Sequence, residues 1–133
     1  MARHRLALVA MLALIAIPMT AFAGNWAMAT FDQVPGQFAA GSTYDLQYTI
    51  LQHGQTPVDV GESQVLIVDS AGAITAFDAV RQGQPGRYSV SITFPQSGAW
   101  GWEVTMGPFG SHPMGTVDVQ EASVESSGGS ANR

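Results

Sequence analysis

The chain has 133 residues, ten acidic side chains against five basic ones, and no cysteine. That length accommodates one small domain, and the missing cysteines exclude a disulfide framework, a thiolate metal site and a cysteine nucleophile. The negative balance argues against binding nucleic acid or anionic lipid by charge, because either needs a basic surface.

Arg3, His4 and Arg5 precede an apolar run from Leu6 to Met19, and Ala21-Phe22-Ala23 fits a small-x-small cleavage pattern. This predicts a secretory signal peptide over residues 1–23, with Gly24 as the first mature residue. The expected protein is therefore exported, periplasmic or extracellular, with no transmembrane anchor after signal cleavage. The apolar run is short for a bilayer span, which needs about 20 residues. Of the arginines only Arg81, Arg87 and Arg133 lie beyond residue 23, against all ten acids, so the mature formal charge is 3 − 10 = −7. Such a chain could attract a basic partner or a cation; the plainer role of the charge is solubility.

Trp26, Met28 and Thr30 alternate with Ala27, Ala29 and Phe31 in a first predicted strand. Val34-Pro35-Gly36 breaks it, and Ala39-Ala40-Gly41-Ser42 reads as a turn. A long strand follows, with Tyr44, Leu46, Tyr48 and Ile50 on one face. Residues 52–58 leave it as a loop. Short strands are expected over 64–69 and 74–80, joined by Ser70-Ala71-Gly72. The strongest alternation comes next: Tyr88, Val90, Ile92 and Phe94, then Trp100, Trp102, Val104 and Met106, separated by Pro95-Gln96-Ser97-Gly98. Two period-2 runs around a short Pro/Gly segment predict an antiparallel hairpin over 86–106. The glycines and prolines of residues 107–115 predict irregular structure, and Thr116 to Val119 a last strand. From Gln120 onward the chain is too polar to bury itself, so residues 120–133 are expected to form a disordered polar tail.

About seven short strands with turn residues between them, and no helical periodicity, predict an all-β fold. The expected architecture over residues 24–119 is an immunoglobulin-like antiparallel β-sandwich, with a small β-barrel as the main alternative.

The loop Gln52-His53-Gly54-Gln55-Thr56-Pro57-Val58, then Gly86-Arg87-Tyr88, then Phe94-Pro95 followed by Gly98-Ala99-Trp100-Gly101-Trp102, resembles the YtkA-like and FixH-like group of exported bacterial domains. The resemblance spans about residues 38–119. It implies an immunoglobulin-like sandwich outside the cytoplasmic membrane, with no established enzymatic activity. Some members of the wider group are associated with copper handling or respiratory-oxidase assembly. Two departures stand against that association: a polar tail in place of a membrane anchor, and no Met-rich loop.

The residues themselves give two functional expectations. The first is a non-enzymatic exported accessory or interaction module that presents its loops to a protein partner in the cell envelope. The second is a soluble periplasmic copper-binding or copper-transfer domain. Imidazole and thioether together suit copper, which makes His53, His112 and Met114 the candidate metal ligands, if their loops share one end of the sandwich. Against that stands the ordinary use of Met as core filler: Met106 is in phase with Trp100 and Trp102, and Met28 with Trp26. A histidine in a turn also serves simply to bond the backbone. No catalytic residues are expected, because no nucleophile elbow, His-Glu-x-x-His pair or phosphate-binding loop occurs. Asp45, Asp59, Glu62 and Asp69 are scattered without a spacing that selects an acid–base pair.

Overall fold

The structure, a computed structural model, describes residues 25–122. The expected signal segment and residues 123–133 of the expected tail lie outside the described residues. Ten strands follow one another: β1 (Ala27–Phe31), β2 (Phe38–Ala39), β3 (Thr43–Gln52), β4 (Thr56–Pro57), β5 (Gln64–Val68), β6 (Ile74–Asp78), β7 (Val80–Arg81), β8 (Arg87–Thr93), β9 (Gly98–Thr105) and β10 (Ser111–Gln120). Seven of these are long, and each overlaps one of the seven expected strands. The other three are two-residue pieces that stitch edges.

The strands form two sheets. One has the order β1-β3-β8-β7, with β4 also on β3; the other has the order β2-β10-β9-β5-β6. All pairs are antiparallel except β2 with β10, which is parallel. Two separate sheets are a sandwich and not the alternative barrel. Counting the long strands, the first, second and fifth share one sheet, and the third, sixth and seventh the other. The fourth crosses between them as β6 and β7. This is the strand order of an immunoglobulin-like sandwich.

The crossing happens at Ala79, whose N–H donates to Ser63 O at 3.0 Å. The run over 74–80 is thus not one strand but two, because the chain leaves one sheet and enters the other within a single residue.

The larger correction concerns residues 86–106. β8 pairs with β3 and β7, whereas β9 pairs with β5 and β10. The two runs are not a hairpin; they face each other across the core. Each has one apolar face, and in opposite sheets those two faces cover each other. Facing one another, Val90 and Ile92 meet Trp100, Trp102 and Val104 in a single buried cluster. The Pro/Gly segment between them fits a sheet-to-sheet corner as well as a tight turn, so local chemistry does not separate the two.

The core is aromatic. Phe31 lies 5.0 Å from both Tyr48 and Trp102, Phe38 lies 5.0 Å from Phe94, and Phe94 lies 5.6 Å from Trp100. Tilted and edge-on pairs at such spacings add to the burial itself. Two buried phenols are tied down by polar partners. Ser63 Oγ donates to Thr105 O at 2.7 Å, so its 2.6 Å bond to Tyr48 has the phenol as donor. Tyr88 Oη accepts from Val60 N at 3.0 Å and donates to Gly61 O at 3.1 Å. These bonds fix the segment before β5 to both sheets, and they satisfy hydroxyls whose burial unpaired would cost stability.

Residues 107–115 are more regular than their composition predicts. Gly107–Phe109 form one 3-10 turn, and β10 begins at Ser111. Its pairing with β9 slips between Pro113 and Gly115, leaving Met114 as the extra residue of a β-bulge. A bulge absorbs a proline and a glycine that an unbroken ladder would not. At the far end Gln120 is still strand, and its carbonyl accepts from Ala40 N at 2.9 Å. β10 therefore takes in Gln120, the first residue of the expected tail.

Candidate functional site

β3 turns into β4 through His53-Gly54-Gln55. Gln55 N donates to Gln52 O at 3.0 Å, and His53 and Gly54 have φ of 55° and 69°. Two successive left-handed residues are what a type I′ turn requires. Glycine takes that conformation freely, and histidine is among the few other residues found there with some frequency. The turn is tied to the chain entering β1 by the bond from His53 N to Trp26 O, 2.9 Å. The two rings sit 5.9 Å apart, tilted by 55°. A Cβ on Gly54 would meet Met28 Sδ and Trp26 Cη2, each at 3.3 Å. Trp26 and Met28 thus converge on the face of the turn that glycine leaves bare, and the Trp26 ring also reaches towards that of His53.

The register of β1 explains why Trp26 and Met28 are there. Ala29 pairs with Ile50 and Phe31 with Tyr48, both buried partners, so Ala27, Ala29 and Phe31 point inward. Trp26 and Met28 point outward, and Trp26 remains 51 % exposed. The expectation that Met28 fills core beside Trp26 is corrected: the two are in phase with each other, but on the outer face. Both phases of this run are apolar, so period alone does not choose between them. Phe31 decides, because its ring has a place between Tyr48 and Trp102.

The three ligands expected from the sequence have separate surroundings. His53 is exposed on the turn. His112 is half-buried on β10, and its Nδ1 accepts from the backbone N–H of Ala29 at 2.9 Å. That bond joins β10 of one sheet to β1 of the other and requires Nδ1 unprotonated. Met114, at the bulge, packs against the hydrophobic core. The groups packed against the turn that carries His53 are Trp26 and Met28 instead. Sequence reasoning set them aside as core; the signal that would have found them is the inward alternative of two alanines and a phenylalanine.

Several other polar side chains are engaged with one another. Arg87 grips both carboxylate oxygens of Asp32, at 2.7 and 2.6 Å, and also reaches Thr49 and Gln47. The Arg87 hydrogen bond holds the Asp32 carboxyl below its ordinary value. Arg81 pairs with Asp59 at 2.8 Å, while Asp59 also accepts from Gly86 N at 2.7 Å; together these hold Asp59 down as well. Asp45 accepts from Ser91 and Asp78 from Gln64, at the walls of a shallow groove of about 260 Å³ shared with Val80 and Ser89. Among the described residues no three of His, Cys, Asp and Glu gather closely enough to hold a metal ion, and no helix is long and apolar enough to cross a membrane.

No family model matches the chain, and no curated protein matches it. Among solved structures it is similar to the Lin-41 filamin domain, with a TM-score of 0.55 and 12 % identity over 74 % of this chain and 98 % of that one. At that identity the likeness concerns the fold, and it agrees with the strand order above: the class is an immunoglobulin-like β-sandwich.

Proposed function

We propose that the chain is an exported, non-enzymatic interaction module that engages a protein partner in the cell envelope, in keeping with its resemblance to YtkA-like and FixH-like domains. The observation that carries this reading is the edge strand β6. Among the described residues it pairs with β5 alone, and four of its five residues are exposed, Ile74 by 62 %. An open edge is a template for an added strand unless lysine, proline or a bulge blunts it. β6 has none of these; its one charge, Asp78, stands at the end and is bonded by Gln64. The acidic surface favours a partner segment that carries basic residues.

The test is a photo-crosslinking amino acid at Ala76, the outward-facing centre of β6, in cells that make the protein. The expected result is one discrete adduct with an envelope protein, lost when Ile74→Lys is added. No adduct, or one indifferent to that lysine, would remove the reading.

A further inference from the structure

β8 has a strand on both sides for only part of its length. Its backbone groups point alternately to its two neighbours. The carbonyl of Gly86 accepts from Ile50 in β3, and that of Arg87 from Gln82 on the flank of β7. By that alternation Ser89, Ser91 and Thr93 direct their N–H and C=O groups to the β7 flank. Ser89 pairs there with Val80, and β7 reaches no further. If it continued, the same register would set Asp78 against Ser91, but Asp78 belongs to β6 and pairs with Gln64 in the other sheet. The chain forks at Ala79, and among the described residues no strand takes the place beside Ser91 and Thr93.

The fork is a groove of about 260 Å³, lined by Asp45, Asp78, Val80, Ser89, Val90 and Ser91. Its lining suits an extended peptide. The groups of Ser91 and Thr93 on the free side are spaced as an antiparallel ladder needs. Nothing blunts this edge, since Val90-Ser91-Ile92-Thr93 contains neither lysine nor proline. Val80, at the last pair before the gap, is 62 % exposed. Charge narrows the occupant further. Carboxylates of Asp45 and Asp78 border the groove, and no basic side chain is among the residues that line it. Asp45 is the β3 partner of Ser91, so a residue set opposite Ser91 on the free side shares a face with Asp45. A basic side chain there is attracted and an acidic one repelled. We infer that the free half of β8 takes up a short extended segment of a protein partner, paired with Ser91 and Thr93 and carrying an arginine or lysine opposite Ser91. This edge goes beyond the β6 reading: it lies in the other sheet and stands whether or not β6 engages a strand.

The test is a titration of the isotope-labelled full chain with the capped peptide Ser-Thr-Val-Arg-Val-Thr-Ser, followed by amide resonances, and repeated with a counterpart carrying glutamate for arginine. Proline is accepted on an edge strand where its nitrogen faces outward, so Ser91→Pro removes the donor on the free side and leaves the ladder with β3. Ala76→Pro is the matching control on β6. Ala79 N donates to Ser63 O and Ala73 O accepts from Asp69 N, so by the same alternation Ala76 points its N–H away from β5. The expected result is saturable shifts at the Ser91 and Thr93 amides with the arginine peptide and weaker binding of the glutamate one. Affinity should fall at least about fivefold in Ser91→Pro, the worth of one hydrogen bond, and stay unchanged in Ala76→Pro. Only variants with wild-type circular dichroism are read, and if Ser91→Pro unfolds, Thr93→Pro, which removes the next donor on that side, decides. No saturable shift, equal binding of the two peptides, or wild-type affinity in the β8 variant overturns the proposal. Loss in Ala76→Pro alone assigns the peptide to β6 and overturns it as well.

Discussion

At Gly107 the backbone makes a demand that only one residue meets. Its φ is 54°, and a Cβ there would lie 2.4 Å from the carbonyl oxygen of Val60. Strain and clash coincide, because the 3-10 turn is pressed against the segment leading into β5. Gly107→Ala is expected to cost at least about 2 kcal/mol, read as a lower urea midpoint at unchanged slope. A wild-type midpoint would show that the turn can move away. His53 offers a contrast, since its positive φ lies at an exposed turn where polar side chains are tolerated. The composition of residues 107–115 announced a turn, but not where it stops. β10 begins inside the glycine-rich stretch because a bulge at Met114 accommodates Pro113 and Gly115, and a bulge leaves no local mark that distinguishes it from a loop.

Among the elements, β10 is the one that closes the molecule. It pairs with β9 along its length and with β2 at its end, and through His112 it reaches the edge of β1 in the opposite sheet. Ala29 is 2 % exposed, so removing the acceptor strands a buried N–H. His112→Ala should therefore lose about 1–3 kcal/mol, whereas His112→Asn, whose amide oxygen can stand where Nδ1 stands, should recover most of it. Denaturant unfolding of the two variants checks this; equal losses would mean that the ring matters for its bulk and not for its nitrogen. The histidine was visible in the sequence as a candidate ligand, but its partner, 83 positions away along the chain, was not. The same holds for β8 and β9, whose alternation was plain and whose placement in different sheets was not. Period 2 reports which residues share a face, and says nothing about whether the facing strand lies beside or opposite.

For the whole molecule, the buried phenol of Tyr48 sets a limit at high pH. Burial is the largest cause, and with the Tyr88 phenol beside it pushes the Tyr48 phenol up from 10.0 to about 12. A group whose pKa is raised by folding stabilises the native state fully below its unfolded value, and loses that contribution as pH climbs through the folded one. Stability from Tyr48 should thus be intact to about pH 10 and decline between there and about pH 12. Urea midpoints measured across that range should fall less steeply for Tyr48→Phe; parallel curves would place the alkaline loss elsewhere.

The sequence by itself determined the fold class, the seven long strands, the aromatic core face of β3, β8 and β9, and the loop that holds His53. These are legible because alternation, turn residues and the absence of helical period act over a few neighbouring positions. Only the tertiary structure decided which strands pair, where the fourth strand changes sheets, that His112 serves a backbone amide, and that Trp26 and Met28 face outward onto the His53 turn. Those outcomes rest on how two sheets cover one core. In β1 both phases are apolar, so the choice fell to the place that Phe31 finds between Tyr48 and Trp102, a contact that exists only once the sheets have met.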